Sequence, residues 1–76
     1  MNALRRKELN EISGFLSDIW DRLVSVKDEE EEYLYNIPEN LQASERYEKA
    51  EYAVANLETA IDHLEEALGS IEEAIE

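Results

Sequence analysis

Apolar residues recur through the second half of the chain at alternating intervals of three and four: Tyr47, Ala50, Val54, Leu57, Ile61, Leu64, Leu68, Ile71 and Ile75. That spacing keeps one stripe of an α-helix apolar and forms the seam of a heptad repeat. With Tyr47 at position a, Ala53, Ala60, Ala67 and Ala74 all fall at g, and Glu51, Glu58, Glu65 and Glu72 all fall at e. The chain nearly repeats itself as AVANLET, AIDHLEE and ALGSIEE, a period of helical turns and not of solenoid units. The first half keeps the same period with bulkier flanks. Leu9, Ile12, Leu16, Ile19, Leu23 and Val26 hold its seam, Phe15 stands on the g side and Trp20 on the e side.

The acidic run Asp28 to Glu32 breaks the first pattern, and Pro38 disfavours helical geometry at Ile37, so the first helix is expected to end near Tyr35. Ser44 is the best N-cap for the second, with Glu45 favourable in its first turn. Gly14, Gly69 and Pro38 are the only glycines and proline, too few for a β protein. The expected fold is all-α. It is a single domain over residues 1–76, an antiparallel two-helix hairpin with helix 1 at about 3–35, a loop at 36–43 and helix 2 at about 44–75.

Facing residues in a hairpin have numbers with a constant total, and a total of 80 matches the two seams. It sets Val26 against Val54, Leu23 against Leu57, Ile19 against Ile61, Leu16 against Leu64, Ile12 against Leu68 and Leu9 against Ile71. On one flank this alignment brings Arg6 near Glu72 and Lys27 near Glu51, ion pairs worth about 0–1 kcal/mol each. On the other, Phe15 faces the small Ala60 and Ala67. A stripe at a, d and g is wider than one partner helix covers, and 76 residues seldom bury enough surface alone. Completion as a four-helix bundle, by a homodimer or by a partner, is therefore expected.

Composition narrows the chemistry. There is no cysteine, which removes disulfides, thiolate metal sites and a cysteine nucleophile. Twenty acidic residues against seven basic ones give a net charge of −13, which argues against direct binding of nucleic acid or an anionic membrane. Met1 to Glu8 holds three basic residues with no apolar run behind them, and no stretch has the length and apolarity of a membrane span, so a cytoplasmic protein is expected. His63 falls on the outer side of helix 2, and the residue three before it is Ala60, not the Glu of a di-iron bundle motif. No nucleophile faces a base, no glycine loop cradles phosphate, and a narrow coil has no cleft to exclude water. No catalytic residue, cofactor or metal is expected, and the chain reads as a non-enzyme.

What remains is surface. Residues 1–27 hold five basic and four acidic side chains, whereas residues 28–76 hold two and sixteen, and no basic residue follows Lys49. Eight carboxylates between Glu51 and Glu76 give roughly one charge per 5 Å of helix, against one per about 1.7 Å in duplex DNA. A dimer would come within a factor of about two of that density, so mimicry of DNA toward a basic cleft is physically open, beside the plain reading of a solvated helix face. Glu58, Asp62, Glu65, Glu66, Glu72 and Glu73 are the candidate partner-binding residues of this acidic face. Phe15, Trp20, Val24, Ala60 and Ala67 are the candidates for partner binding or self-association on the apolar flanks, Trp20 being either a core lid or an anchor.

The segments Arg5-Arg6-Lys7, Asp28 to Glu32, Ile37-Pro38-Glu39-Asn40-Leu41-Gln42 with Ser44-Glu45-Arg46, and Leu57-Glu58 through Ala67 together resemble small acidic helical proteins encoded by phages and integrative elements of Gram-positive bacteria. The resemblance implies a mobile-element origin and an inhibitor or modulator that occupies a host defence or DNA-handling protein. It carries no catalytic or ligand residue. The alternative is a self-assembling structural coil whose only ligand is another copy.

Overall fold

The computed structural model describes residues 1–76 and contains two long helices, α1 at Ala3–Tyr35 and α2 at Glu45–Ile75, with a short 3-10 turn at Glu39–Leu41 between them. They pack against each other along their length as an antiparallel hairpin, with no strand anywhere. The rod measures 59 × 15 × 13 Å. Its radius of gyration is 17.4 Å, where a globule of this length would have about 11 Å.

The helix ends follow from local chemistry. Asn2, in extended backbone, accepts the Arg5 amide at 2.8 Å and so satisfies one of the open donors that start α1. At the other end the Ile37 amide reaches back to the Leu34 carbonyl at 3.2 Å before Pro38 turns the chain away. Ser44 then caps α2: its side chain accepts from the Tyr47 amide at 3.3 Å and its hydroxyl donates to the Leu41 carbonyl at 2.5 Å. Glu45 and Glu48 in the first turn suit the positive end of the helix.

Helix α2 turns its expected stripe inward. Ala50, Val54 and Ile61 are buried, and Tyr47, Leu57, Leu64, Leu68, Ile71 and Ile75 are half-buried. Helix α1 does not use the stripe expected of it. The stripe it turns inward is Leu9, Ser13, Leu16, Trp20, Leu23, Lys27, Glu30 and Leu34, with Val24 and Glu31 half-buried beside it, whereas Ile12, Ile19 and Val26 are 37%, 47% and 52% exposed. The covered sets of both helices interlock when facing numbers total 84, not 80: Leu9 with Ile75, Ser13 with Ile71, Leu16 with Leu68, Trp20 with Leu64, Leu23 with Ile61, Lys27 with Leu57, Glu30 with Val54 and Leu34 with Ala50. Relative to the expected alignment, α1 has slipped by about one turn and rolled toward its Trp20 side.

Two physical causes account for the slip. The apolar face of α1 runs from Phe15 across Ile19 and Leu16 to Trp20, more than one opposing helix can cover, and the hairpin takes the half that holds the larger ring. The loop also continues the spacing. Ile37, three residues after Leu34, is only 7% exposed and joins Leu34, Ala50 and Val54 in one cluster, with Tyr47 packed on it. That cluster holds four of the five buried residues of the chain and pins the alignment at the loop end.

The expected cross-helix ion pairs do not form. Lys27 bonds within its own helix, to Asp28 at 2.9 Å and Glu31 at 3.2 Å, because the slip places it over the seam, where its stem lies inward and its ammonium reaches out to the edge. Arg6 donates from Nε to the Ile75 carbonyl at 3.3 Å and not to Glu72, so it serves one of the open acceptors at the end of α2. This contact eases a charge order that runs against the dipole of α1, which has Arg5, Arg6 and Lys7 at its positive end and no basic residue in its last turn.

Candidate interaction surfaces

The exterior of the rod divides into three regions. On α2, Glu58, Asp62, Glu65, Glu66, Glu72 and Glu73 are all exposed, as is His63. The three ion pairs of the molecule are Lys27 with Asp28, Lys27 with Glu31 and Lys49 with Glu45, so none of these six carboxylates is neutralised by a neighbour. From Glu51 to the end of the helix these carboxylates are interrupted by no lysine or arginine.

The second region is apolar and belongs to α1. Leu4, Ile12, Phe15, Ile19 and Val26 are 78%, 37%, 68%, 47% and 52% exposed. At 100° per residue they fall within an arc of about 80°, so they form one stripe roughly 33 Å long. In an antiparallel pair, g positions border g positions. The Ala53, Ala60, Ala67 and Ala74 column of α2 therefore edges the same side, Ala53 and Ala60 half-buried and Ala67 and Ala74 exposed. Ile19, Arg22, Leu23 and Val26 border a shallow hollow of about 200 Å³ on this stripe.

The structure separates the apolar candidates instead of joining them. Phe15, Ala60 and Ala67 lie on this open side. Trp20, about 140° away from Phe15 around α1, and Val24 are half-buried toward the opposite edge of the seam. Trp20 is half-buried, with its indole nitrogen shut from the surface and, like the Ser13 hydroxyl, without a hydrogen-bond partner. The period alone could not show which half of the wide α1 face would be left open, although the excess width was visible in it.

The third region is the loop end. Leu34 and Ile37 close it against Tyr47, Ala50 and Val54, while Tyr35 stays 74% exposed. The Arg46 guanidinium hydrogen-bonds the Tyr33 hydroxyl and lies 5.5 Å from the Tyr33 ring centre. Nearby, the negative charge of Glu31 and its hydrogen bond raise the Tyr35 phenol above the ordinary tyrosine pKa. Hydrogen bonds to Asp28 and then Glu31 likewise raise the Lys27 ammonium pKa.

No group of three or more His, Asp or Glu side chains is placed to hold a metal ion. No helix is long and apolar enough to cross a membrane. The three surface hollows hold about 180–260 Å³ each, below the roughly 300–1,000 Å³ of small-molecule sites. Comparison with family models, curated proteins and solved structures finds no match.

Proposed function

We propose that this hairpin is a non-catalytic protein-binding module that assembles into a four-helix bundle through α1 and presents the acidic face of α2 to a basic protein surface. One observation carries the reading. The apolar stripe with Phe15 and the unpaired carboxylates from Glu58 to Glu73 lie on different helices, so a contact made by one leaves the other free. The resemblance to small acidic proteins of phages and integrative elements makes the partner a defence or DNA-handling protein of the host, occupied through carboxylates standing where phosphates would lie.

The test is capture of host proteins from a Gram-positive lysate by the intact protein and by a triple variant, Glu65→Gln, Glu66→Gln and Glu73→Gln. A partner held by the intact protein, lost by the variant and displaced by duplex DNA is the expected result. Equal capture by both proteins would remove the acidic face from the function.

A further inference from the structure

We infer that the occupant of the open α1 stripe is a second copy of the same stripe, with Phe15 of each copy seated in the hollow between Ile19, Arg22, Leu23 and Val26 of the other. This rests on the two-face reading above and gives its assembly a geometry.

The hollow has the spacing of a packing socket. Ile19, Arg22, Leu23 and Val26 stand at i, i+3, i+4 and i+7, the four residues that form a hole for one side chain of a facing helix. The same stripe carries a projecting ring to fill it, since Phe15 is 68% exposed. A surface with both knob and hole is self-complementary, as a two-fold dimer requires. Placing Phe15 opposite Leu23 in an antiparallel α1 pair makes facing numbers total 38. The same alignment sets Ile12 against Val26 and puts the axis beside Ile19, which meets its own counterpart. All the central layers are then apolar. Arg22 comes within a turn of Asp18 of the other copy, and both residues lie exposed along the same edge of the stripe. Beyond Ile12, Glu8 would meet Glu30, so the two α1 helices should splay outside the stretch from Ile12 to Val26.

Area and charge favour a second copy. A folded monomer of 8.8 kDa exposes about 4,800 Å². This chain exposes 5827 Å². Residues 1–27 are nearly charge-balanced, with five basic and four acidic side chains. Pairing through α1 therefore brings two chains of charge −13 together where repulsion is least and keeps both α2 faces outermost.

The mass of the purified protein in solution tests this without any other partner. The intact chain is expected at twice 8.8 kDa. Phe15→Glu should raise the dimer dissociation constant at least 100-fold with the helical circular dichroism of the folded monomer retained. Tyr52→Glu, at a residue 73% exposed on α2, should leave it unchanged. Should Phe15→Glu unfold, Ile19→Cys supplies the reading: oxidation should link two chains through Ile19→Cys and leave Tyr52→Cys mostly unlinked. A monomeric intact protein, an unchanged constant in folded Phe15→Glu, or equal linking at both cysteines would overturn the inference. Because capture of a host partner is read from Glu65, Glu66 and Glu73, its success beside a failed dimer would remove the pairing through α1 and leave the acidic-face binding standing, and the reverse would do the opposite.

Discussion

The two helices carry similar heptads but meet each other differently. Helix α2 buries or half-buries every residue of its seam from Tyr47 to Ile75. Helix α1 covers Leu9, Leu16 and Leu23 but leaves Ile12, Ile19 and Val26 largely open, and recruits Ser13, Trp20 and Lys27 in their place. The difference lies in the width of the apolar face. On α2 the seam is flanked by alanine on one side and glutamate on the other, so only one stripe can pack. On α1 it is flanked by Phe15 and Trp20, and either half could serve. A periodic pattern fixes a helix and its length well, whereas its roll and register depend on competition between flanks.

The sharpest way to break this comparison is to shorten equivalent side chains on the two seams. Ile61→Ala removes a residue 7% exposed and should cost about 2–5 kcal/mol. In a rod this thin that would unfold much of the population. Ile19→Ala, at a residue 47% exposed, should cost about 1 kcal/mol or less in dilute solution. Urea denaturation followed by circular dichroism measures both, and equal losses would mean that α1 packs on the stripe expected from its period. Next in size is the cap that starts α2. Ser44→Ala should lower stability by about 1 kcal/mol, read from the same urea midpoint, with amide exchange quickened first at Tyr47.

The smallest effect has the opposite sign. Gly69 lies in helical backbone without positive φ, and a β-carbon there would meet nothing within 4 Å. Gly69→Ala should therefore raise stability by a little under 1 kcal/mol. Gly14, with the same open surroundings, should gain similarly on α1. A loss at either site would show that the glycine accommodates a close neighbour in solution.

Much of this architecture was legible in the chain. Pro38 and Ser44 mark where the helices part because each acts on its own backbone, whatever the rest of the protein does. The apolar excess beside Phe15 was legible for the same reason, being a count of positions on one helix. The register was not, since it turned on Ile37, a loop residue outside both heptads that packs with Leu34 and Ala50 and extends the seam by one layer. The ion pairs expected for Arg6 and Lys27 failed with it, because a slip of one turn moves a long side chain past its intended carboxylate to whatever acceptor is nearer. The exposure of the six α2 carboxylates from Glu58 to Glu73 could be read from the sequence, because they lie off the seam in any register.

The hydrogen bond from Arg6 to the Ile75 carbonyl ties the start of α1 to the end of α2, at the opposite end of the rod from the buried cluster around Ile37. A tension applied to those ends would act as on a zipper and not as on a rope. Each layer from Leu9 and Ile75 onward would carry the whole load in turn, and the pair would peel at low force until it reached Leu34, Ile37 and Ala50. The molecule is thus mechanically graded, soft where its ends meet and firm at its tip.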